Sequence, residues 1–571
     1  MLAKKLITKL IDPSGTKLSE PFAVASAFNE YFSNTPIEIA SQLDSPNRDF
    51  SSYLSGDYTE SIFICSILHE NIVKIVNSLN NTSGGHIGIP TNVVKNIIYI
   101  ISRPLAEIFN NCIDTGYFPS SLKIARVVPI FKAKNPLSVQ NYRPISILSV
   151  FSKIFERHIH NQMLNFFSRH EIICEQQCGF MKNSSTNISI AKLLNKIVGG
   201  LDAKNIGLCV FLDLQKAFDL VDHSILLRKL NYYGIRGISN KLLGSFLADR
   251  KQYVYLNNTS STVRSVHLGV PQGSILSPLL FIIFINDIVN SSSILHFNLF
   301  ADDTSLYLES NNINDLYMTM NLELENVSNW ILANKLSINV EKTVYLLFTR
   351  KKTVPHTPEL LLFNKTIVRK SETKFLGIII DDRLNWQSHA HFISGKIARM
   401  IGILHKISSL LTLPTLKIIY NSLIYPHLQY GIVFWNNVNK TKFNCIFRLQ
   451  KKAIRLINKS GKFYHTEPLF KNNKILNLND IMQMELCKFV HHDINVANHF
   501  NFRPRSDLHS YHTRYASDIQ VPSVHTELAR KFVSYKGVSL LNSLSDDIRS
   551  IPDKIHFKCK VKNYLLSMYT D

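Results

Sequence analysis

The run Phe300-Ala301-Asp302-Asp303 sets two adjacent carboxylates between two apolar stretches. Leu295, Phe297 and Leu299 alternate before it and Leu306 and Leu308 after it, the period of a strand. The pattern predicts a β-hairpin with the acids at its turn. Neighbouring carboxylates repel, so such a pair either lies in a solvated turn or is held for a cation. A second acid narrows the choice. Leu208 to Leu214 reads Leu-Cys-Val-Phe-Leu-Asp-Leu, an apolar run that predicts a short buried strand with Asp213 near its end. A lone acid there is costly unless something pairs with it. Asp213, Asp302 and Asp303 on neighbouring strands form an oxygen-only donor set, which suits two Mg²⁺ ions and the needs of two-metal phosphoryl transfer.

Composition bounds the partners. The 571 residues allow about three domains at roughly 150 residues each. A hydrophobic fraction of 45% excludes a disordered chain. The net charge of +22 points to a polyanion or to a basic solvated surface. It is uneven: residues 383–571 hold 27 Lys/Arg against 11 Asp/Glu, and the first 382 hold 37 against 31. Eight scattered cysteines with no CxxC pair argue against a zinc knuckle and for core or surface thiols, Cys174 and Cys178 included. Lys4, Lys5 and Lys9 interrupt the N-terminal apolar residues, so no secretory signal is read, and the longest apolar runs are too short to span a bilayer. The expectation is an intracellular protein, in nucleus and cytoplasm, with no membrane partner.

Local signals fill in the elements. Helical patterns run around Ile72 to Leu79, Val93 to Ile108 and Phe22 to Phe32, and Val127 to Phe131 is extended. Asn34 to Tyr58 is polar and reads as loosely ordered. Ser277 is the expected N-cap, and Pro278 the first residue, of an apolar helix. A helix after Asp213 should start near Asp222 and stop at Gly234, with Ile225, Leu226 and Leu230 inward.

The motifs also carry a family resemblance. Phe211-Leu-Asp213-Leu-Gln-Lys-Ala-Phe218-Asp219, Gly269-Val-Pro-Gln272-Gly273-Ser-Ile-Leu-Ser-Pro278 and Phe300-Ala-Asp302-Asp303 resemble three successive palm motifs of a reverse transcriptase, in order and spacing. The variant is similar to non-LTR (LINE-type) retrotransposons, especially jockey-like ones. Arg126 to Lys132 and Asn141-Tyr-Arg143-Pro-Ile-Ser resemble its fingers motifs; Asn334 to Thr343 and Phe375-Leu376-Gly377 resemble its next palm motifs. Tyr425 to Gly431 resembles the segment after the palm, and Ala23 to Phe32 the connector before the polymerase.

The resemblance implies an α+β right-hand polymerase with an antiparallel palm sheet and a largely helical, basic C-terminal region. Residues 1–60 would be the connector, 61–200 the fingers, 201–385 the palm, and 386–571 the thumb and a nucleic-acid-binding extension. Asp213, Asp302 and Asp303 would hold two Mg²⁺ ions, with Mn²⁺ as an alternative. Phe218, otherwise read as a core ring, would lie under the sugar of the incoming dNTP and exclude a 2′-OH. Gln272 and Gly273 would form the loop beneath nucleotide and template base. Lys132 and Arg143, otherwise surface cations, would grip the triphosphate, and Lys342 would stand near the pyrophosphate. Phe375, Leu376 and Gly377 would be the primer grip. Asn141 and Tyr142 would order the Arg143 loop, and Asp219 and Asp222 would cap and orient. Trp386, Trp435 and Tyr430 read as buried packing or as base-stacking rings.

The implied activity is RNA-directed DNA synthesis from a DNA primer or target on an RNA template. Two alternatives stand beside it: an inactive or domesticated RNA-binding remnant, and an intron-type maturase. The connector-like segment lies close to residue 1, so the upstream endonuclease of such elements is expected to be absent from this chain. Ile87 stands where an Asp is usual, and Met181 where a basic residue is usual. Lys451, Lys452 and Arg455 lie within about one helical turn and form a candidate phosphate-binding patch.

Overall fold

The computed structural model describes residues 7–11, 15–351, 357–507 and 517–569. Lys4 and Lys5 lie outside the described residues. A five-stranded sheet organises the middle of the chain. Its order is Val368–Arg369, Val344–Phe348, Ile206–Asp213, Asp303–Ser310 and His296–Phe300. The strand Ile206–Asp213 is buried from end to end except at Asp213. It does not alternate in polarity because both faces are covered. Leu208, Val210 and Leu212 enter one core with the helices His223–Tyr232, Ser277–Ile285 and Ile313–Ala333. Cys209 and Phe211 enter another with the helix Thr186–Asp202 and the C-terminal helices. Four strands pair antiparallel, as expected; the edge pair Val344/Val368 is parallel, which the expectation of a wholly antiparallel sheet missed.

A second sheet lies N-terminal in sequence to most of the first. Ile124–Phe131 pairs antiparallel with Tyr142–Ile147 and parallel with Arg250–Leu256. The helix Pro21–Ser41 covers it, with Val24, Phe28 and Phe32 packed with Ala125, Val127 and Val254. This helix corrects the expectation of a loose stretch from Asn34. It runs on through Pro36 because Phe28, Phe32 and Pro36, four apart, keep one face buried. That burial outweighs the N–H a proline lacks.

From Gln387 onward the described residues are mostly helical, including Gln387–Ile407, Leu413–Leu423, Lys440–Ile457, Leu478–His492 and Lys554–Ser567. Trp386 and Trp435 are buried in this part, the packing reading of those rings. All eight cysteines are free, Cys178 buried and Cys174 half-buried. Among the described residues no helix is long and apolar enough to cross a membrane.

Candidate active site

The turn that carries Asp302 is tight. Phe300 pairs with Asp303, so only Ala301 and Asp302 connect the two strands. Ala301 has φ of 55°, the left-handed value that the first position of a type II′ hairpin turn requires. A non-glycine residue is strained there, and its surroundings hold it. The Gln177 side-chain oxygen accepts from Ala301 N at 3.1 Å and from Gly179 N at 2.7 Å. Cys178 N donates to Leu299 O at 2.8 Å. A Cβ on Gly179 would come within 2.4 Å of Ala301 N, so the segment Gln177–Gly179 can buttress the turn only with glycine there. Gln177 was not singled out from the sequence; its place four residues before Met181, itself noted there, was the available signal.

Register then brings the acids together. Asp303 lies directly opposite Asp213 on the neighbouring strand, where side chains on one face stand about 5 Å apart. Asp213 is fixed through its backbone: its N–H donates to Thr343 Oγ1 at 3.3 Å and its carbonyl accepts from Asn339 N at 2.9 Å. Asp302 and Asp303 keep exposed surface at the turn, but desolvation by the protein packed around them, then the charges of Asp302 and Asp213, push the Asp303 carboxyl up to about 6. Asp302 is raised mainly by the same desolvation and also by Asp213, against the pull of Arg143 and Lys132. Among the described residues no three His, Cys, Asp or Glu side chains are gathered closely enough to form a ready metal cage.

Cations from three distant segments face these acids. Lys342 Nζ stands 3.5 Å from Asp213 Oδ2. Desolvation, then Arg143 and Lys342, hold Lys132 below its usual range, while Asp213 and Asp302 act the other way. Lys132, Arg143, Lys342, Asp213, Asp302 and Asp303 therefore share one electrostatic neighbourhood. The Arg143 loop is ordered as expected: Asn141 Nδ2 donates to Asn135 O at 2.9 Å, and Tyr142 OH to Pro136 O at 2.7 Å.

The Gly269–Ser277 loop is the next layer. Gln272 Nε2 donates to Asp219 Oδ1 at 2.9 Å, and Gln272 O accepts from Ser146 N at 2.8 Å. Gly273 has φ of 129°, and a Cβ there would meet Ser146 O at 2.3 Å, so this close approach needs glycine. Val270 N donates to Phe218 O at 2.8 Å, tying the loop to the Phe218 backbone. The Phe218 ring is half-buried and stacks on Phe281, centroids 4.5 Å apart. Asp222 caps the helix His223–Tyr232 as expected, and Ile225, Leu226 and Leu230 are buried.

Ser277 is not the N-cap: it is already helical, and its Oγ has no partner. Ser274 Oγ accepts from Leu276 N and Ser277 N, at 3.1 and 3.2 Å. Fully buried Glu156 accepts from Ser274 Oγ at 2.5 Å, Ile275 N at 2.7 Å and Ser152 Oγ at 2.6 Å. Glu156 organises this loop from beneath, and a single acid in a helix 120 residues upstream left no local pattern to read.

The hairpin Glu372–Phe375/Ile378–Asp381 turns at Leu376 and Gly377, both left-handed, the signature of a type I′ turn. Phe375 packs on Phe211, centroids 5.2 Å apart, so the hairpin docks on the strand that carries Asp213. Tyr430 OH donates to Leu376 O and also reaches Thr186 Oγ1 at 3.2 Å. Tyr430 therefore pins the hairpin, a role distinct from either reading of its ring.

Residues 131–380 match the family model for reverse transcriptase (RNA-dependent DNA polymerase). The chain is 31% identical over 381 residues to the probable RNA-directed DNA polymerase from transposon BS of Drosophila melanogaster, covering 64% of this chain and 41% of that protein. It is 28% identical over 501 residues to the RNA-directed DNA polymerase from mobile element jockey of the same species, covering 84% and 53%. For the probable RNA-directed DNA polymerase from its transposon X-element the figures are 27% over 490 residues, 82% and 52%. The chain thus spans about half the length, or less, of these curated relatives. Residues 131–380 thus carry a reverse transcriptase domain, and the chain is similar to the RNA-directed DNA polymerases of jockey-like mobile elements.

Proposed function

We propose that this chain is an RNA-directed DNA polymerase that extends a DNA 3′-OH on an RNA template with dNTPs. The observation that carries the reading is the register that sets Asp303 opposite Asp213 beside the Asp302 turn, faced by Lys132, Arg143 and Lys342. Acids on one side and cations on the other match a site that handles both a metal and a triphosphate. In this reading residues 1–60 are the connector, 61–200 the fingers, 201–385 the palm and 386–571 the thumb and extension of a right hand. The protein works inside the cell, between cytoplasm and nucleus.

The donor set fits Mg²⁺ by its chemistry: it is oxygen-only, and the charge of Asp213 pushes both Asp302 and Asp303 up, a repulsion that a hard cation relieves. Asp213, Asp302 and Asp303 would hold two ions, Mg²⁺ or Mn²⁺. When bound, they supply activation of the attacking 3′ oxygen and charge stabilisation at the leaving pyrophosphate. Arg143 forks two phosphate oxygens of the triphosphate, and Lys132 adds a point charge. Lys342 donates a proton to the departing pyrophosphate. Phe218, held on Phe281, blocks the space a ribose 2′-OH needs. Gln272 and Gly273 shape the floor under the nucleotide. The Leu376-Gly377 turn presses on the primer end.

The test is primer extension by the purified full chain on a primed RNA template with dNTPs and Mg²⁺. DNA synthesis lost in Asp302→Asn is the expected result. Tight RNA binding with no synthesis in any divalent ion would establish an inert RNA-binding remnant instead.

A further inference from the structure

Four lysines far apart in sequence line one cavity in the C-terminal helical part. Lys417 comes from the helix Leu413–Leu423, Lys474 from the residue that ends the helix Glu467–Asn473, and Lys558 and Lys562 from the helix Lys554–Ser567. Tyr425 and Asn421 share the wall. Ile475, Leu476 and Met484 also line the cavity, and all three are buried.

Among the described residues none of these four ammonium groups has an ion-pair or hydrogen-bond partner, and the helices Leu413–Leu423 and Lys554–Ser567, which carry three of them, contain no acid. Lys558 and Lys562 are four apart on one helix face, a like-charge pair that destabilises the helix. Desolvation, then Lys558, hold Lys562 below its usual range against an opposing pull from Cys559, and Lys474 and Lys417 add smaller pushes in the same downward direction. A fold that concentrates unpaired positive charge at a concave surface gives up stability there, and a polyanion recovers it.

We infer that the cavity between Lys417, Lys474, Lys558 and Lys562 binds consecutive backbone phosphates of a single-stranded RNA. Two features favour a strand over a small enclosed anion. Lys554 continues the row of Lys558 and Lys562 at the same four-residue spacing, beyond the cavity. The part that contains the cavity, residues 383–571, carries most of the chain's net positive charge, because its 27 Lys/Arg face only 11 Asp/Glu. The lysines give affinity and orientation without reading sequence. That the occupant is RNA rests on the polymerase reading; that the cavity binds phosphates does not.

The experiment compares the full chain with Lys417→Gln/Lys558→Gln/Lys562→Gln and with the matching triple Lys→Arg variant. Binding of a labelled single-stranded RNA is followed against salt concentration, and thermal stability is followed with and without sodium hexametaphosphate. Loss of three contacts should flatten the log–log salt slope by about 2, at roughly 0.7 per phosphate on a single strand. The Arg variant should keep the wild-type slope, and hexametaphosphate should raise the melting temperature of wild type but not of the Gln variant. A Gln variant that loses the hexametaphosphate response while its RNA slope is unchanged would show a soluble-polyphosphate site and overturn the RNA assignment. Unchanged behaviour in both assays would make the lysines a solvated surface and overturn the proposal. A wild-type chain that binds RNA with the expected slope but synthesises no DNA would sink the polymerase reading and leave the cavity assignment standing.

Discussion

The acidic site and the lysine cavity are built in opposite ways. Asp213, Asp302 and Asp303 are brought together by strand register, so one paired strand and one two-residue turn place all three. The lysines of the cavity come from three helical segments spread over more than a hundred residues, and only tertiary packing assembles them. A strand pair fixes side chains through backbone hydrogen bonds, which suits chemistry that fails when an atom is misplaced. Helix faces carry long, mobile ammonium groups, which suits attraction to a charged polymer that tolerates sliding. The contrast predicts that small changes near the carboxylates act on rate and that changes at the cavity act on affinity and salt dependence.

The largest expected effect tests the first half of that contrast. Asp302→Asn keeps the shape of the turn and removes one negative charge, so it should lower primer extension by on the order of a thousandfold, ~4 kcal/mol of barrier. RNA affinity should stay within about twofold. Measured kcat near wild type would take Asp302 out of the chemistry.

Glu156→Ala comes next, and it asks how far the acid site depends on buried support. The change strands Ser152 Oγ, Ser274 Oγ and Ile275 N in the core. At about 1–3 kcal/mol for each unsatisfied buried group, only partly additive, folding stability should fall by about 2–4 kcal/mol. Denaturant unfolding measures this. Glu156→Gln keeps an acceptor and should lose less. Equal losses in the two variants would mean that the site tolerates an open Ser274–Ser277 loop.

These two residues also show what the sequence could and could not reveal. Asp302 was legible because an acid pair between two alternating apolar runs has few structural explanations. Asp213 was legible because a lone acid ended an apolar strand. Glu156 and Gln177 hold the same site yet were not read, and Thr343 was read only as the end of a motif, without its bond to Asp213 N. Each is a single polar residue whose partner lies far away in sequence, and periodicity carries no long-range information. Ser277 misled for a related reason: Ser before Pro is a sound local cap signal, but the distant Glu156 and nearby Ser274 already serve the helix start. The helix through Pro36 was missed because propensity was weighed without the sheet that buries its face. The uneven charge announced a polyanion partner without placing it. Of the candidate patch, Arg455 Nε donates to Tyr464 O at 2.8 Å and Lys451 lies over the Phe447 ring, while Lys417 and Lys474, which line the cavity, stood out in no local pattern.

Substitution of Phe218 tests selectivity apart from rate. The ring is half-buried on Phe281, so Phe218→Val removes bulk at modest cost to the core. Ribonucleotide incorporation relative to dNTP should rise by on the order of 10- to 100-fold, about 1–3 kcal/mol of discrimination. An unchanged ratio together with lower stability would make Phe218 a packing residue only. Tyr430→Phe is milder. It removes the hydroxyl that holds Leu376 O, worth about 1 kcal/mol. The KM for primed template should rise several-fold with kcat nearly constant. A fall in kcat with unchanged KM would place the Leu376-Gly377 turn in the chemistry instead of at the primer.

The smallest effect concerns the helix that follows Asp213. Asp222 caps His223–Tyr232 and receives Lys335 Nζ at 2.7 Å. Burial alone would raise its carboxyl, but the Lys335 and Ser224 hydrogen bonds and the Ile225 N–H prevail and hold it at about 2. A folded pKa below the unfolded value of about 3.9 gives stability that is fully present above that unfolded value. It is lost as pH falls from about 4 through 2, because the unfolded chain then binds the proton more readily. Lys335 is more than half exposed, so solvent screens its share to less than about 1 kcal/mol. Lys335→Met should therefore raise the Asp222 pKa toward the unfolded value, narrow that acid window, and leave stability above pH 5 lower by only that small amount. The Ser224 and Ile225 bonds remain, so part of the acid dependence should persist in the variant. Urea unfolding from pH 2 to 6 measures both terms. An acid limb identical in the two proteins would assign the depressed pKa to the cap alone. The ion pair would then belong with the solvent-facing charges of the C-terminal part, not with the fixed geometry that carries the acids.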